Sequence, residues 1–222
     1  MRFTGLLTGS LTGLACALPA THHARTTTAT TTPSPGTSKG FNLRVNVTDP
    51  SRDLVPSVQG LYLSDERAGA GYSISVLQAA PATPAFYLNG TAYHTTVTHD
   101  IPGVYPLSLS VAGPDAFDAL YPAEHDVGAV VSGATELGLR AGEPILFPVD
   151  YDGTYAACRR KFVLGGGLAD LLTVRYVYGG EAVPADCAPI ELGVECATLN
   201  DLPAGASWNH DFAFDVPCLK YD

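Results

Sequence analysis

Two runs of alternating side chains, one on either side of three consecutive glycines, constrain the fold of this chain most strongly. From Thr154 to Leu164 alternate positions are mostly apolar, and the same period of two recurs from Leu172 to Tyr178. A period of two is typical of β-strands. Glycine accepts the positive φ angles of tight reversals, so Gly165–Gly167 predicts that the two runs form an antiparallel hairpin.

Most of the chain after residue 40 has the same character, with short β-rich runs separated by Gly, Pro, Asn and Asp. From Phe41 to Thr48 apolar and polar residues alternate, which predicts a half-buried strand. The best helical window is short, Pro114 to Tyr121, with proline at its start. Further strands are predicted over Ser57–Leu63, Tyr72–Gln78, Ala85–Leu88, Thr91–Thr98, Val104–Val111, Val127–Val131, Glu136–Arg140 and Ile145–Val149.

These patterns predict an all-β fold: a single antiparallel β-sandwich or barrel-like domain over residues 41–222, with at most one or two short helical turns.

The N-terminus has the features of a secretory signal peptide. Arg2 precedes a mostly apolar run, Leu6 to Leu14, and Ala15-Cys16-Ala17 matches the small-x-small pattern of a cleavage site. We therefore assign residues 1–17 to a signal peptide and predict a secreted, extracellular protein. The apolar run is shorter than the roughly 20 residues that span a bilayer, and no membrane span is predicted elsewhere.

Residues 18–40 are predicted to be a disordered linker. Thr21 to Gly40 contains eight threonines and almost no apolar side chain. Such a segment cannot bury enough surface to offset the entropy of ordering, and its Ser/Thr/Pro composition suits O-glycosylation. A copper site at His22 and His23 would require cleavage after Ala20, which Leu18 disfavours, so we retain the linker interpretation.

The charge of the chain argues against nucleic acid as a partner. The chain has 12 basic and 22 acidic residues. Residues 1–17 contain Arg2 and no acid, so the processed chain has 12 − 1 = 11 basic residues and a net charge of 11 − 22 = −11. Nucleic-acid binding requires a basic surface, whereas acidity of this kind keeps a protein soluble, and we expect a monomer.

Four of the five cysteines, Cys158, Cys187, Cys196 and Cys218, remain after processing, and an even number in a secreted chain predicts two disulfides. Loop-closure entropy does not select the pairing. The pairing Cys187–Cys196 with Cys158–Cys218 would stabilise the fold by about 2.7 and 4.3 kcal/mol. The pairing Cys158–Cys187 with Cys196–Cys218 would stabilise it by about 3.6 and 3.4 kcal/mol, so the totals are equal. We favour the first pairing because the turn-forming segment Pro184–Pro189 could fold Cys187 back towards Cys196.

Two sequons predict N-glycosylation at Asn46 and Asn89. Asn46 faces away from the apolar side of its predicted strand. Asn89-Gly90 also lies between two β-rich runs, and both residues tolerate positive φ, so we predict a hairpin turn there.

Several segments resemble a group of secreted fungal proteins of unknown function, and together they cover most of the chain after residue 40. They are Phe41-Asn42-Leu43-Arg44-Val45, Gly69-Ala70-Gly71, Phe86 to Thr91 (FYLNGT), Tyr155 to Arg160 and Trp208 to Phe212. The resemblance implies a signal peptide, one β-rich domain and disulfides, and it brings no activity or catalytic residue. Ala156 departs from the bulkier residue expected two positions before Cys158.

No arrangement of residues predicts a catalytic, cofactor-binding or metal-binding site. His94 and His99 are five residues apart on a predicted strand and so face opposite sides, while His125 and His210 stand alone in sequence. Ser207 lacks the second glycine of a nucleophile elbow. An EF-hand is excluded at Asp150-Tyr151-Asp152-Gly153, because Lys161 occupies the position of the closing glutamate. A carboxylate pair drawn from Glu136, Glu143, Asp150 and Asp152 would require convergence that sequence cannot show.

An aromatic cluster and a basic cluster each allow a structural and a ligand-binding interpretation. Trp208, His210, Phe212 and Phe214 alternate with polar residues, which predicts a strand with a buried aromatic face; the alternative is a sugar-stacking platform. Arg159-Arg160-Lys161 is a basic run in an acidic protein. Cross-strand pairing with acidic residues explains it, and the alternative is an anion or acidic-polymer contact.

The sequence therefore predicts a noncatalytic secreted module that binds an extracellular ligand of unknown identity, on a host, a cell wall or elsewhere. The alternative is a secreted hydrolase that acts on polysaccharide through a carboxylate pair not visible in sequence.

Overall fold

A computed structural model describes residues 33–69, 71–82, 84–91, 94–100, 106–111, 127–130, 135–139, 146–148, 153–202 and 204–221. Within these ranges the regular structure is fifteen strands and one 3-10 turn, Pro50–Arg52. The strands are β1 Ser34–Ser38, β2 Gly40–Val47, β3 Tyr62–Gly69, β4 Tyr72–Gln78, β5 Phe86–Thr91, β6 His94–Asp100, β7 Pro106–Val111, β8 Val127–Val130, β9 Thr135–Leu139, β10 Leu146–Pro148, β11 Gly153–Leu164, β12 Gly167–Tyr178, β13 Cys187–Ala197, β14 Ala213–Phe214 and β15 Val216–Lys220.

The predicted all-β fold, sandwich or barrel-like, is confirmed. Neighbouring strands follow the order β1-β15-β13-β11-β12-β4-β3-β2-β5-β6-β7-β9-β10, and β13 also pairs with β2. The last pairing closes β2, β3, β4, β12, β11 and β13 into a barrel-like ring. The sheet is mixed rather than purely antiparallel, because Glu195 of β13 pairs with Leu219 of β15 in parallel.

The main core cluster combines buried side chains of this ring with buried side chains of β5, β6 and β7. Phe41, Leu43 and Val45 of β2 are at most 1% exposed, as the alternation predicted. Across eight residue pairs β2 lies beside β13, whose Ile190, Leu192 and Val194 are also buried. Each large aliphatic or aromatic side chain buried in this way contributes about 1.5–3 kcal/mol. The core fixes which face of β2 and β13 remains outside.

The β11–β12 hairpin is confirmed, with twelve register pairs from Gly153↔Tyr178 to Leu164↔Gly167. Its turn residues Gly165 and Gly166 have φ of 56° and 86°, in the left-handed region that favours glycine.

The strand predicted over Ser57–Leu63 is wrong in its first part, because strand structure begins only at Tyr62. The Asp53 carboxylate organises the preceding loop by accepting hydrogen bonds from the backbone N–H groups of Leu54 and Val58 and from the Ser57 hydroxyl. Burial alone would raise the pKa of Asp53, but these hydrogen bonds outweigh burial and lower it.

The predicted hairpin turn at Asn89-Gly90 is also wrong. Strand β5 continues to Thr91, and Asn89 pairs with Thr96 of β6 on one side and Ala213 of β14 on the other. Both edges of the backbone at Asn89 are therefore used by neighbouring strands, which overrides the local preference for a turn.

The predicted linker extends too far towards the domain. Within the predicted range 18–40, Ser34–Ser38 forms β1 and pairs antiparallel with β15 from Ser34↔Lys220 to Ser38↔Val216. Gly36 lies opposite Cys218, and a Cβ on it would stand 3.1 Å from Cys196 Sγ. The signal peptide, the linker as far as residue 32 and the helical window Pro114 to Tyr121 lie outside the described residues.

The four predicted cysteines form two disulfides, but the pairing that we favoured from the sequence is wrong. Cys158 bonds Cys187 with Cα atoms 4.6 Å apart, and Cys196 bonds Cys218 with Cα atoms 5.0 Å apart. Cys187 and Cys196 stand near opposite ends of the continuous strand β13, about 30 Å apart at the rise of a β-strand, and cannot meet. Cys187 instead lies directly opposite Cys158 in the β11–β13 register.

The segment around Trp208 does not form the predicted strand with a buried aromatic face. Phe212 and Phe214 are 63% and 39% exposed, whereas Ala213 between them is buried. An Asx turn, in which Asp211 N donates to Asn209 Oδ1, and a bond from Ala213 N to His210 O break the strand before Ala213. Trp208 is half-buried in the preceding loop.

Candidate functional site

A concave surface lies on the outer face of β2 and β13, beside the end of β15. Arg44 of β2 lies opposite Gly193 of β13, and Asn46 lies opposite Glu191. Since Gly193 has no side chain, the surface sinks at this point. The resulting cavity is about 270 Å³ and is lined by Arg44, Val45, Asn46, Gln59, Glu191, Gly193, Leu219 and Tyr221.

A second depression shares Tyr221 with the first. It measures about 350 Å³ and is lined by Thr37, Ser38, Glu195, Cys196, Ala197, Thr198, Lys220 and Tyr221. Tyr221 lines both depressions and is 41% exposed. We refer to the two depressions together as the Tyr221 groove.

Arg44 is held between two tyrosine rings. Its Cζ lies 4.5 Å from the centroid of the Tyr221 ring and 5.9 Å from that of Tyr62. Both distances fall within the range of cation–π attraction. Arg44 Nε is buried and has no hydrogen-bond partner among the described residues, so the two ring contacts are what orients this side of the guanidinium.

Tyr62 is fixed in turn by a carboxylate of the groove. Its hydroxyl donates to Glu195, 3.0 Å from Oε2 and 3.2 Å from Oε1. Burial raises the pKa of Tyr62, and the hydrogen bond to Glu195 and the charge of Glu195 act in the same direction. Tyr62 therefore stays protonated and keeps Glu195 turned towards the groove wall.

The other end of the groove carries loosely bonded amides. Asn46 Nδ2 lies 3.5 Å from Glu191 Oε2, and Gln59 Nε2 lies 3.4 Å from Asn46 Oδ1. Hydrogen bonds of this length are weak, so a polar ligand could replace them at little cost. Gln59 itself is anchored, since its Oε1 accepts from Val47 N at 2.7 Å.

A second polar feature lies inside the protein, where two histidines meet two aspartates. His99 Nδ1 lies 2.7 Å from Asp65 Oδ2, and Ser75 Oγ donates to the other oxygen of Asp65 at 3.2 Å. Both side chains are nearly inaccessible, 6% and 2% exposed. The His99 ring also packs on Phe86, with centroids 4.7 Å apart.

The second pair involves the next residue of β6. Asp100 Oδ2 lies 2.7 Å from His210 Nε2, and Tyr87 Oη donates to Asp100 Oδ1 at 3.1 Å. Burial raises the pKa of Tyr87, and the Asp100 charge adds to the effect. The half-buried His210 thus has a hydrogen-bond partner inside the protein.

These two His–Asp pairs have the geometry of structural hydrogen bonds that join separate segments of the fold. Within the described part of the chain neither histidine is hydrogen-bonded to a serine or cysteine that it could activate, since the one serine in the cluster, Ser75, bonds Asp65. Nor do the described residues contain any group of three or more His, Cys, Asp or Glu that could hold a metal ion. The side chains of His94 and Glu136, together with His125, Glu143, Asp150 and Asp152, lie outside the described residues.

The two predicted glycosylation sites have different surroundings. Asn46 is exposed on the rim of the Tyr221 groove, whereas Asn89 is half-buried between β6 and β14. Glycosylation of either asparagine stays a prediction, and the exposed position favours Asn46.

Sequence reasoning did not identify the Tyr221 groove. In sequence, Arg44 is one of the polar residues that alternate along a strand, and Tyr221 belongs to no motif. The one local signal was Gly193 inside a run of strand-forming residues, because an interior strand glycine often marks the close approach of a ligand or backbone.

No helix in the described part of the chain has the length and apolar character needed to cross a membrane. The two disulfides are compatible with an oxidising extracellular environment.

Comparison with known proteins relates this chain to a fungal antigenic protein and to one domain family. It is 32% identical over 201 residues to the antigenic protein SchS34 of the fungus Stachybotrys chartarum. The aligned region covers 84% of this chain and 88% of the relative. No solved structure matches the chain. Residues 38–196 match the model of a domain of unknown function, and the chain therefore belongs to that family (DUF7907).

Proposed function

We propose that this protein is a secreted, noncatalytic binding module that holds an extracellular oligosaccharide in the Tyr221 groove. The observation that carries the proposal is the half-exposed ring of Tyr221 between two polar depressions. Sugars present apolar C–H faces and a periphery of hydroxyl groups. An aromatic ring flanked by amides, carboxylates and a guanidinium offers complementary surfaces for both.

The groove is prepared for binding before a ligand arrives. Arg44 is stacked on Tyr221, and Glu195 is held by Tyr62, so few of these side chains would lose freedom on binding. The rim groups Asn46 and Glu191 are only weakly bonded to each other and can turn to a ligand hydroxyl.

The carboxylates of the groove do not favour hydrolysis. Glu191 and Glu195 are four residues apart on β13, which separates their backbone positions by about 13 Å. Glycosidase carboxylates stand about 5–9.5 Å apart. Glu195 is moreover engaged by the Tyr62 hydroxyl. The wide backbone spacing and the engagement of Glu195 support binding over the alternative of a polysaccharide hydrolase.

The test is calorimetric titration of the purified protein with chitin, β-glucan and mannan oligosaccharides. We expect at least one to bind, with affinity reduced on the order of tenfold or more by Tyr221→Ala and kept by Tyr221→Phe, because the ring supplies the contact. Phe212→Ala is the matched control, since Phe212 is an exposed aromatic outside the groove.

A glycan on Asn46 would compete for the same surface, so the titration is repeated with Thr48→Ala, which removes the sequon. Absence of binding to every sugar in both forms, or equal losses in Tyr221→Ala and Phe212→Ala, would overturn the proposed site. Release of reducing sugar during incubation would establish the hydrolase instead.

A further inference from the structure

The outer half of the β11–β12 hairpin forms an arm. β11 pairs with β13 only as far as Cys158↔Cys187, and β12 meets β4 at the single pair Thr173↔Val76. Beyond these points the described residues give each strand one partner, its sister in the hairpin. We call the segment Arg159–Leu172 the hairpin arm.

One face of the hairpin arm is anchored to the rest of the protein. Phe162 is 6% exposed and packs with Ile74 and Val76 of β4, and Leu164 and Leu171 add to this small cluster. The anchored face holds the arm in one orientation, so the opposite face is displayed in a defined direction.

The opposite face combines cations with bare aliphatic side chains. Val163 and Leu168 lie directly opposite each other and are 77% and 68% exposed. One step further from the turn, Lys161 lies opposite Asp170, and Arg159 follows at the base of the arm; Arg159 and Lys161 are both exposed. The turn beyond Val163 is made of Gly165 and Gly166, around which space is open.

Protection of a strand edge explains only part of this arrangement. Charged residues along an edge discourage other chains from pairing there, which accounts for Arg159 and Lys161. It does not account for Val163 and Leu168, since an apolar cross-strand pair at the end of an arm invites the contacts that the charges discourage.

The combination matches the chemistry of a lipid surface. Aliphatic side chains at a narrow tip enter the boundary between headgroups and acyl chains, and cations behind them contact anionic headgroups. Long Arg and Lys side chains suit this position because their stems are apolar and their charged ends reach the headgroups.

The charge of the whole molecule supports the same orientation. The chain has a net charge of −10, so attraction to an anionic surface requires a locally basic face. The exposed face of the arm is such a face, since it carries Arg159 and Lys161 against the single acid Asp170. A protein partner is a poorer fit, because a stable interface buries about 800 Å² on each side and the tip presents two aliphatic side chains. An acidic polysaccharide would use the cations and leave the aliphatic pair without a role.

The geometry points to the tip of the hairpin arm as a peripheral docking site for anionic lipid bilayers, through insertion of Val163 and Leu168 and headgroup contacts of Arg159 and Lys161. This site is separate from the Tyr221 groove and does not depend on the function proposed for it.

Sedimentation with vesicles tests the inference, using the full chain as it is secreted. Vesicles of phosphatidylcholine with about a third phosphatidylserine should bind the protein, and pure phosphatidylcholine should bind it on the order of tenfold less. The double variants Val163→Ser/Leu168→Ser and Arg159→Glu/Lys161→Glu should each lower binding by a similar factor. These residues are exposed, so folding should be preserved, as an unchanged melting temperature would verify. Val55→Ser is the matched control because Val55 is 93% exposed and distant in sequence from the arm.

Failure to bind anionic vesicles would overturn the inference, as would binding that the Val163→Ser/Leu168→Ser variant leaves intact. Dextran sulfate tests the alternative of an acidic polymer. If it binds the protein, and if Arg159→Glu/Lys161→Glu abolishes binding of both dextran sulfate and vesicles while Val163→Ser/Leu168→Ser abolishes neither, the arm is an acidic-polymer site and the lipid assignment is wrong.

Discussion

The strands around Cys158 and the strands around His99 are tied to their partners in different ways. In the first region, disulfides join β11 to β13 and β13 to β15. In the second, Asp65 of β3 reaches His99 of β6, although these strands are not neighbours in the sheet, so the contact crosses the interior. The covalent links join strands that adjoin, whereas the polar link joins strands that face each other.

The difference matters because the two kinds of link stabilise through different states of the chain. A disulfide acts chiefly by restricting the unfolded chain, and its effect grows with the length of the loop that it closes. A buried His–Asp pair yields little net stability when intact, but the loss of one partner leaves a polar group without water or a hydrogen bond. One region therefore depends on oxidation, and the other depends on complete burial of the pair.

Removal of His99 should produce the largest effect. We expect His99→Ala to lower the free energy of unfolding by about 3–5 kcal/mol, since Asp65 would remain buried with only Ser75 as a partner. His210→Ala is the matched control and should cost about 1–2 kcal/mol, because His210 is 17% exposed and water can replace it beside Asp100. Urea denaturation measures both, and equal losses would show that burial does not distinguish the two pairs.

Removal of either disulfide should rank next. Cys158 and Cys187 are 29 residues apart and Cys196 and Cys218 are 22 apart, so their replacement by alanine should cost about 3.6 and 3.4 kcal/mol. The comparison becomes sharper with reductant, which should destabilise the wild-type protein and leave the ranking of His99→Ala over His210→Ala unchanged. A reductant-insensitive wild-type denaturation midpoint would contradict the covalent account.

The smallest effect should come from the Tyr87 hydroxyl. Tyr87→Phe removes the hydrogen bond to Asp100 and should cost about 1 kcal/mol at neutral pH. Burial raises the pKa of Tyr87 above the ordinary value of 10.0, so the stabilisation is present below pH 10. Above pH 10 the unfolded chain loses this proton while the folded chain keeps it, and the wild-type protein loses stability. The advantage of wild type over Tyr87→Phe should therefore shrink as pH rises, which denaturation at pH 8, 10 and 11 can follow.

Alternation predicted structure where both the pattern and a long partner strand were present. β2 and β4 were predicted closely, and the β11–β12 hairpin was predicted together with its glycine turn, since these elements make many consecutive pairs. The same alternation failed from Trp208 to Phe214, where an Asx turn left only a two-residue strand. An alternating pattern shows which face of a strand would be buried. It does not show whether a neighbouring strand has a free edge with which that strand can pair.

The site illustrates a stronger limit. Arg44 and Tyr221 come from opposite ends of the domain and meet only because β2 and β15 both lie against β13. The disulfide pairing also depends on β13, because this strand runs uninterrupted between Cys187 and Cys196 and keeps them apart. Neither the groove nor the pairing follows from spacing along the chain.

The short strand β1 has a consequence for the chemical stability of the Cys196–Cys218 disulfide. Gly36 lies over the Cys196–Cys218 bond with no side chain between, so the backbone of β1 shields the sulfur atoms from one side. A protease that trims the threonine-rich segment back to Gly40 would remove this shield while sparing β2 and the core. Reduction of the Cys196–Cys218 disulfide would then become the first step in the loss of the folded protein, and its rate would depend on whether β1 is still present.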